Sequence, residues 1–155
     1  AGSLRSPRLR IVNADAFQWL QDSTDVFDVI VVDFPDPTNF SIGKLYTNSF
    51  YALLARRLSA SGYAVVQTTS PLVARKSFYT VLSTIESVGL QAVPYHANVP
   101  SFGEWGFTMA AHGAIPQTAQ LPAGLRFLTA QSEPLLFDFP PDMARRTVAI
   151  ADALG

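Results

Sequence analysis

Asp33 and Asp36 lie three residues apart in VIVVDFPDPTNF (29–40), at the end of an apolar run and with Asp36 held between Pro35 and Pro37. Partial burial at such a strand end would raise the Asp33 carboxyl toward the range useful to a general base. Proline fixes its own φ and restricts the residue before it, so Asp36 sits on a stiff loop. Two acids on a rigid loop suit a cationic ligand. Asp15, closing LRIVNAD, and Gln67, in YAVVQTT, fall at further strand ends, where open parallel sheets take their ligands.

Each of these residues also has a plainer reading. Asp36 can shape a turn and Asp33 can cap the segment after it, while Gln67 can satisfy backbone groups. A metal on the aspartate pair lacks a third ligand at suitable spacing. His96 and His112 are isolated from each other and from any metal spacing, which fits core or surface histidines. A triad of Ser70, His96 and Asp33 can be drawn, but no Gly-x-Ser-x-Gly elbow supports it. Asn39-Phe40-Ser41 matches a glycosylation sequon, meaningful only in a secreted protein.

The elements that must position these groups follow from apolar periodicity. LRIVNAD (9–15) reads as a short strand and AFQWLQD as helical turns with Phe17 and Leu20 on one face. FDVIVVD (27–33) is the near-continuous apolar run of a strand covered on both faces, which favours a parallel sheet. Thr47 caps a helix carrying Phe50, Tyr51, Leu54 and Leu58 that stops at the SASG turn near Gly62, and YAVVQTT (63–69) is a second buried strand. Ser70-Pro71 starts another helix, with Phe78, Val81, Leu82 and Ile85 as its stripe up to Gly89. LQAVPYHANV (90–99) and GFTMAAHG (106–113) read as an antiparallel pair at the far edge of the sheet. From Ala114 onward the chain is proline-rich, a tail docked on a single domain of residues 1–155, ending in a helix over MARRTVAIADAL.

Composition narrows the classes of function. Eleven Lys and Arg against twelve Asp and Glu give a net charge of -1, without the basic stripe of a nucleic-acid module. The absence of cysteine excludes disulfides, thiolate metal sites and a thiol nucleophile, and suits a reducing cytoplasm. No apolar run reaches the roughly 18–20 residues that cross a bilayer, and AGSLRSPRLR lacks the apolar core of a signal peptide. A doubly wound nucleotide-binding domain opens with a Gly-rich turn. No Gly-x-Gly cluster occurs here, so either the fold is of another kind or its first half is not in this chain.

Taken together, NADAFQWL, FDVIVVDFPDP, KLYTNSFYALLARRLSASGYAVVQTTSP, YHANVPSFGEWGF and LRFL with LLFDFPPDM resemble the polyamine aminopropyltransferases, the spermidine synthases, in order and spacing from about residue 8 to residue 143. The closest flavour is the bacterial branch in which such a domain follows a membrane region. Asp-x-x-Asp-Pro followed by Leu-Tyr-Thr-x-x-Phe-Tyr is the strongest element, because it separates this family from methyltransferases of the same fold. The resemblance implies an α/β, Rossmann-like, mostly parallel sheet with an antiparallel edge hairpin. It also implies decarboxylated S-adenosylmethionine as co-substrate and putrescine or a related amine as acceptor. The family's Gly-rich loop and ribose-binding acid would then lie upstream of this chain.

Residue by residue, the resemblance makes Asp33 the general base and Asp36 the carboxylate that helps hold the diamine. Gln67, Phe102 and Tyr46 would line the amine channel. Phe102 stands where soluble members often carry a tyrosine, and Glu104 is an acidic addition that could compensate. Asp15 resembles the residue recognising the adenine amino group, with Ala16 and Phe34 beside it. Two other readings remain at this level: an S-adenosylmethionine-dependent methyltransferase, and a non-catalytic polyamine-binding or assembly domain. The acidic pair opposes the former, since it would repel that donor's carboxylate. Without upstream strands, the FDVIVVD strand would expose an apolar edge, so self-association to a dimer is expected.

Overall fold

A computed structural model describes residues 6–36, 40–116 and 120–146. Its elements run α1 (Ala16–Asp22), β1 (Phe27–Val32), α2 (Phe40–Gly43), α3 (Asn48–Arg57), β2 (Leu58–Gln67), α4 (Arg75–Glu86), β3 (Gln91–Val99) and β4 (Gly103–Ala111). The strands form one sheet in the order β1-β2-β4-β3. β1 and β2 pair in parallel, with Val31 beside Val65 and Val32 beside Val66. The β3–β4 hairpin closes the other side antiparallel, Gln67 lying opposite Phe107 and Tyr95 opposite the same residue. This is the α/β class with the edge hairpin that the sequence led us to expect.

Period-two alternation divides the sheet into two unlike faces. Val32, Ala64, Val66 and Ala110 point to one side, where they are buried with Leu20 of α1, Phe50, Tyr51 and Leu54 of α3, and Ile85 of α4. Thr47 opens α3 by accepting the Phe50 N–H at 3.3 Å, and Arg56 and Arg57 stand in its last turn, where the helix dipole favours cations. α4 approaches β4 so closely that a Cβ on Gly106 would come within 2.3 Å of the Phe78 ring. The opposite face carries no described α-helix; the short 3-10 turn Pro134–Phe137 reaches it with Phe137, 6.1 Å from Tyr95.

Several expectations are corrected. LRIVNAD forms no strand: residues 9–13 carry no regular structure, with Ile11 58% exposed. No described strand runs beside it to supply a ladder, and a strand without one leaves its backbone groups to water. FDVIVVD is not covered on both faces, since Val29 and Val31 of the outermost strand are 65% and 71% exposed. α3 ends at Arg57 rather than at the SASG turn, and β2 takes up Leu58 directly through a register irregularity against β1. α4 begins at Arg75, because Ser70 first closes a turn by accepting N–H groups from Val73 and Ala74.

The tail is held by side-chain anchors. The Phe139 ring lies 5.9 Å from that of Phe78 and Phe137 lies 6.1 Å from Tyr95, Tyr79 donates to the Met143 carbonyl at 2.9 Å, and Met143 is buried. The expected terminal helix falls largely on residues 147–155, outside the described residues, as does Asn39 of the sequon. No described helix is long and apolar enough to cross a membrane.

Candidate active site

Three neighbouring strands each deliver one polar group to the same end of the face without α-helices. Asp33 follows β1, Gln67 closes β2, and Trp105 stands two residues before Phe107, the partner of Gln67 on β4. All three line a cavity of about 410 Å³, with Val31, Val65, Tyr95, Phe102 and Phe107 as its apolar walls. Tyr95 stacks on Phe107 at 5.2 Å, and Phe102, 67% exposed, tilts against Trp105 at 5.3 Å. A carboxylate and an amide among aromatic rings form a pocket suited to an alkyl amine, whose ammonium is attracted to the acid and whose methylenes contact the rings.

The Gln67 carboxamide lies between Asp33 and the Trp105 indole. Only with its nitrogen toward Asp33 Oδ1 and its oxygen toward Trp105 Nε1, at 3.3 Å, are both contacts hydrogen bonds. Asp33 itself is exposed, not partly buried as its place after an apolar run suggested, because no described α-helix covers this face.

Asp36 belongs to a different cavity. With Tyr46, Thr68, Thr69, Lys76 and Ser77 it lines a space of about 430 Å³ at the start of α4. Thr69, at a positive φ of 63°, donates to Asp36 Oδ2 at 3.3 Å. Tyr46 donates to the carbonyls of Phe34 and Pro35 at 3.2 and 3.0 Å, tying down the loop that carries both aspartates. Burial, then the charges of Asp36 and Asp33, push its phenol up to about 12, so it remains a donor across the physiological range.

Asp15 is occupied locally. Its carboxylate accepts the N–H groups of Phe17 and Gln18 as the N-cap of α1 and meets Lys44 Nζ at 2.5 Å. The Lys44 hydrogen bond, then the Gln18 N–H, holds its carboxyl below the ordinary value. Ala16 opens α1, and Phe34 packs edge-on against Phe50 at 5.6 Å. Glu104 faces His96 rather than the Asp33 cavity. The His96 ring lies between Glu104 Oε1 at 2.5 Å and the Asp138 carbonyl at 2.7 Å, pinning the tail to the hairpin. Among the described residues no group of three or more acidic, His or Cys side chains could hold a metal ion.

Two participants went unnoticed in the sequence, Lys44 beside Asp15 and Trp105 beside Gln67. Lys44 carries no local signal. Trp105 does, since alternation along WGF places it on the face of Phe107.

Fold and site together define an α/β domain with an acidic, aromatic-walled pocket at the carboxyl ends of its parallel strands. Residues 1–119 match the family described as the spermine/spermidine synthase domain, and the chain belongs to that family. Polyamine aminopropyltransferase 2 of Ralstonia nicotianae is 51% identical over 146 residues, covering 92% of this chain and 28% of that protein. The polyamine aminopropyltransferase of Leptospira interrogans is 45% identical over 148 residues, covering 96% and 30%. The chain thus spans under a third of these curated relatives.

Among solved structures, a spermidine synthase in complex with the transition-state analogue AdoDATO matches with a TM-score of 0.74 at 26% identity, over 87% of this chain and 49% of that one. The spermidine synthase of Thermotoga maritima has a TM-score of 0.73 at 24% identity, over 87% and 48%, which speaks for the fold alone.

Proposed function

We propose that this chain supplies the amine-binding part of an aminopropyltransferase site, acting in the complete protein on putrescine or a related amine with decarboxylated S-adenosylmethionine as co-substrate. The observation that carries this reading is the convergence of Asp33, Gln67 and the aromatic walls on one cavity at the strand ends. An alkyl amine with a pKa around 10 arrives protonated and cannot attack. Asp33 attracts the ammonium and accepts one proton, and the freed nitrogen lone pair attacks the aminopropyl carbon bound to the sulfonium. The C–S bond breaks with its electron pair going to sulfur, which leaves as the neutral thioether methylthioadenosine. Because that leaving group needs no protonation, positioning and deprotonation are what the protein must supply.

Within this reading Phe102 and Gln67 border the amine, Tyr46 and Asp36 fix the loop behind the base, and Glu104 orders the hairpin that carries Trp105. The nucleoside side, where Asp15, Ala16 and Phe34 belong by resemblance, is completed by parts of the protein not in this chain. We further propose a bacterial, cytoplasmic setting, one domain over 1–155 with 114–155 as its docked tail, and self-association through the outer edge of β1. A membrane region elsewhere in the complete protein is compatible with all of this.

The test is aminopropyl transfer by the complete protein carrying Asp33→Asn. We expect kcat to fall on the order of 10²–10⁴-fold, with methylthioadenosine still bound in calorimetry. Transfer at the native rate would refute the assignment of the base.

A further inference from the structure

The polar atom of Trp105 reaches Asp33 only through another side chain, that of Gln67. An indole N–H donates and never accepts, whereas a carboxamide can be turned end for end. The 3.3 Å contact from Trp105 Nε1 therefore holds the Gln67 oxygen toward the indole and its NH2 toward Asp33 Oδ1. With the amide reversed, its oxygen would face a carboxylate oxygen, a repulsive contact.

Gln67 and Trp105 lie on adjacent strands β2 and β4, and Asp33 directly follows Val32, the last residue of β1, in the register that sets Val32 beside Val66 and Gln67 opposite Phe107. The path from indole to carboxylate thus starts from two strands of the ladder and ends on the first residue after β1.

We propose that Trp105 is a positioning residue for proton transfer: through Gln67 it occupies Oδ1 of Asp33 and reserves Oδ2 as the oxygen that takes the proton of the incoming amine. This rests on the reading of Asp33 as the base. The consequence is directional. Losing the indole N–H frees the Gln67 oxygen, so the amide swings away from Asp33 Oδ1 and leaves that oxygen open to the ammonium in place of Oδ2. Turnover then suffers more than binding, because the aromatic walls that contact the amine's methylenes remain.

Two experiments separate this proposal from the functional reading. In the 155-residue chain, whose two tryptophans give two indole N–H resonances, Asp33→Asn should move the Trp105 signal. The same substitution made on top of Gln67→Met should leave it still. A Trp105 resonance indifferent to Asp33→Asn, or one that responds equally without the amide, overturns the proposal whatever the protein catalyses.

In the complete protein, Trp105→Phe should lower kcat about five- to tenfold, as expected for loss of one aligned hydrogen bond, with KM changed less than about twofold. Gln67→Met, which leaves the indole ring in place, should show the same split, and the double variant should be no worse than either alone, because both act through one path. Native kcat in both single variants, or full additivity in the double, overturns the proposal. An intact NMR coupling alongside unimpaired transfer by Asp33→Asn would instead mean that the path exists and Asp33 is not the base.

Discussion

Asp15 is a carboxylate held on two sides. It caps α1, is held by Lys44, and has its carboxyl lowered from 3.8 by that bond first and by the Gln18 N–H next. A carboxyl lowered on folding adds stability that is fully present above its unfolded pKa and is lost as pH falls through the lowered one. Asp15→Asn keeps a capping oxygen and removes the charge. Its thermal midpoint, followed by circular dichroism, should lie below that of the native chain at neutral pH and meet it in strong acid. Equal midpoints at both pH values would show that the Lys44 pair contributes nothing. Tyr46 has the opposite sign: with its phenol raised to about 12, its contribution holds below an unfolded value near 10 and disappears as pH climbs through 12.

Two small features of the sequence set how α3 begins and how closely α4 sits on β4. Thr47 ends the turn at Lys44–Tyr46 and caps α3, so Thr47→Ala should cost about 1 kcal/mol and lower the thermal midpoint by about 2–4 °C. Gly106 is required by close approach: an added Cβ would meet Phe78 at 2.3 Å and the Thr69 carbonyl at 2.7 Å. Because that contact includes backbone, Gly106→Ala should destabilise by about 1–3 kcal/mol in denaturant titration. Through the Gly106–Thr69 hydrogen bond it should also disturb the end of β2, next to Gln67. A neutral result would mean that α4 can draw back from the sheet without cost.

For the whole molecule, the decisive feature is that, among the described residues, α-helices cover one face of the sheet only. Val29 and Val31 lie exposed on a strand with a partner on one side, an arrangement that invites pairing with another chain. Analytical ultracentrifugation of this chain at micromolar concentration should show a dimer, and Val31→Lys should return it to the monomer. A native chain that sediments as a monomer would remove the edge as an interface.

Much of this was legible from local pattern. The Thr47 cap, the α3 and α4 stripes, the β3–β4 hairpin and the strand ends at Asp33 and Gln67 follow from periodicity and capping chemistry, which act within a few residues. What tertiary structure alone decided depends on partners distant in the chain. An apolar run such as FDVIVVD looks the same whether one or both faces are covered, so the exposure of Val29, Val31 and Asp33 could not be read from it. LRIVNAD has the composition of a strand but no described neighbour to complete its ladder. The separation of Asp36 from the Asp33 cavity, the Lys44–Asp15 pair and the Trp105–Gln67–Asp33 path arise where strands and loops remote in sequence meet. Hydrogen bonds formed there have direction as well as distance, and only the register of three strands sets both.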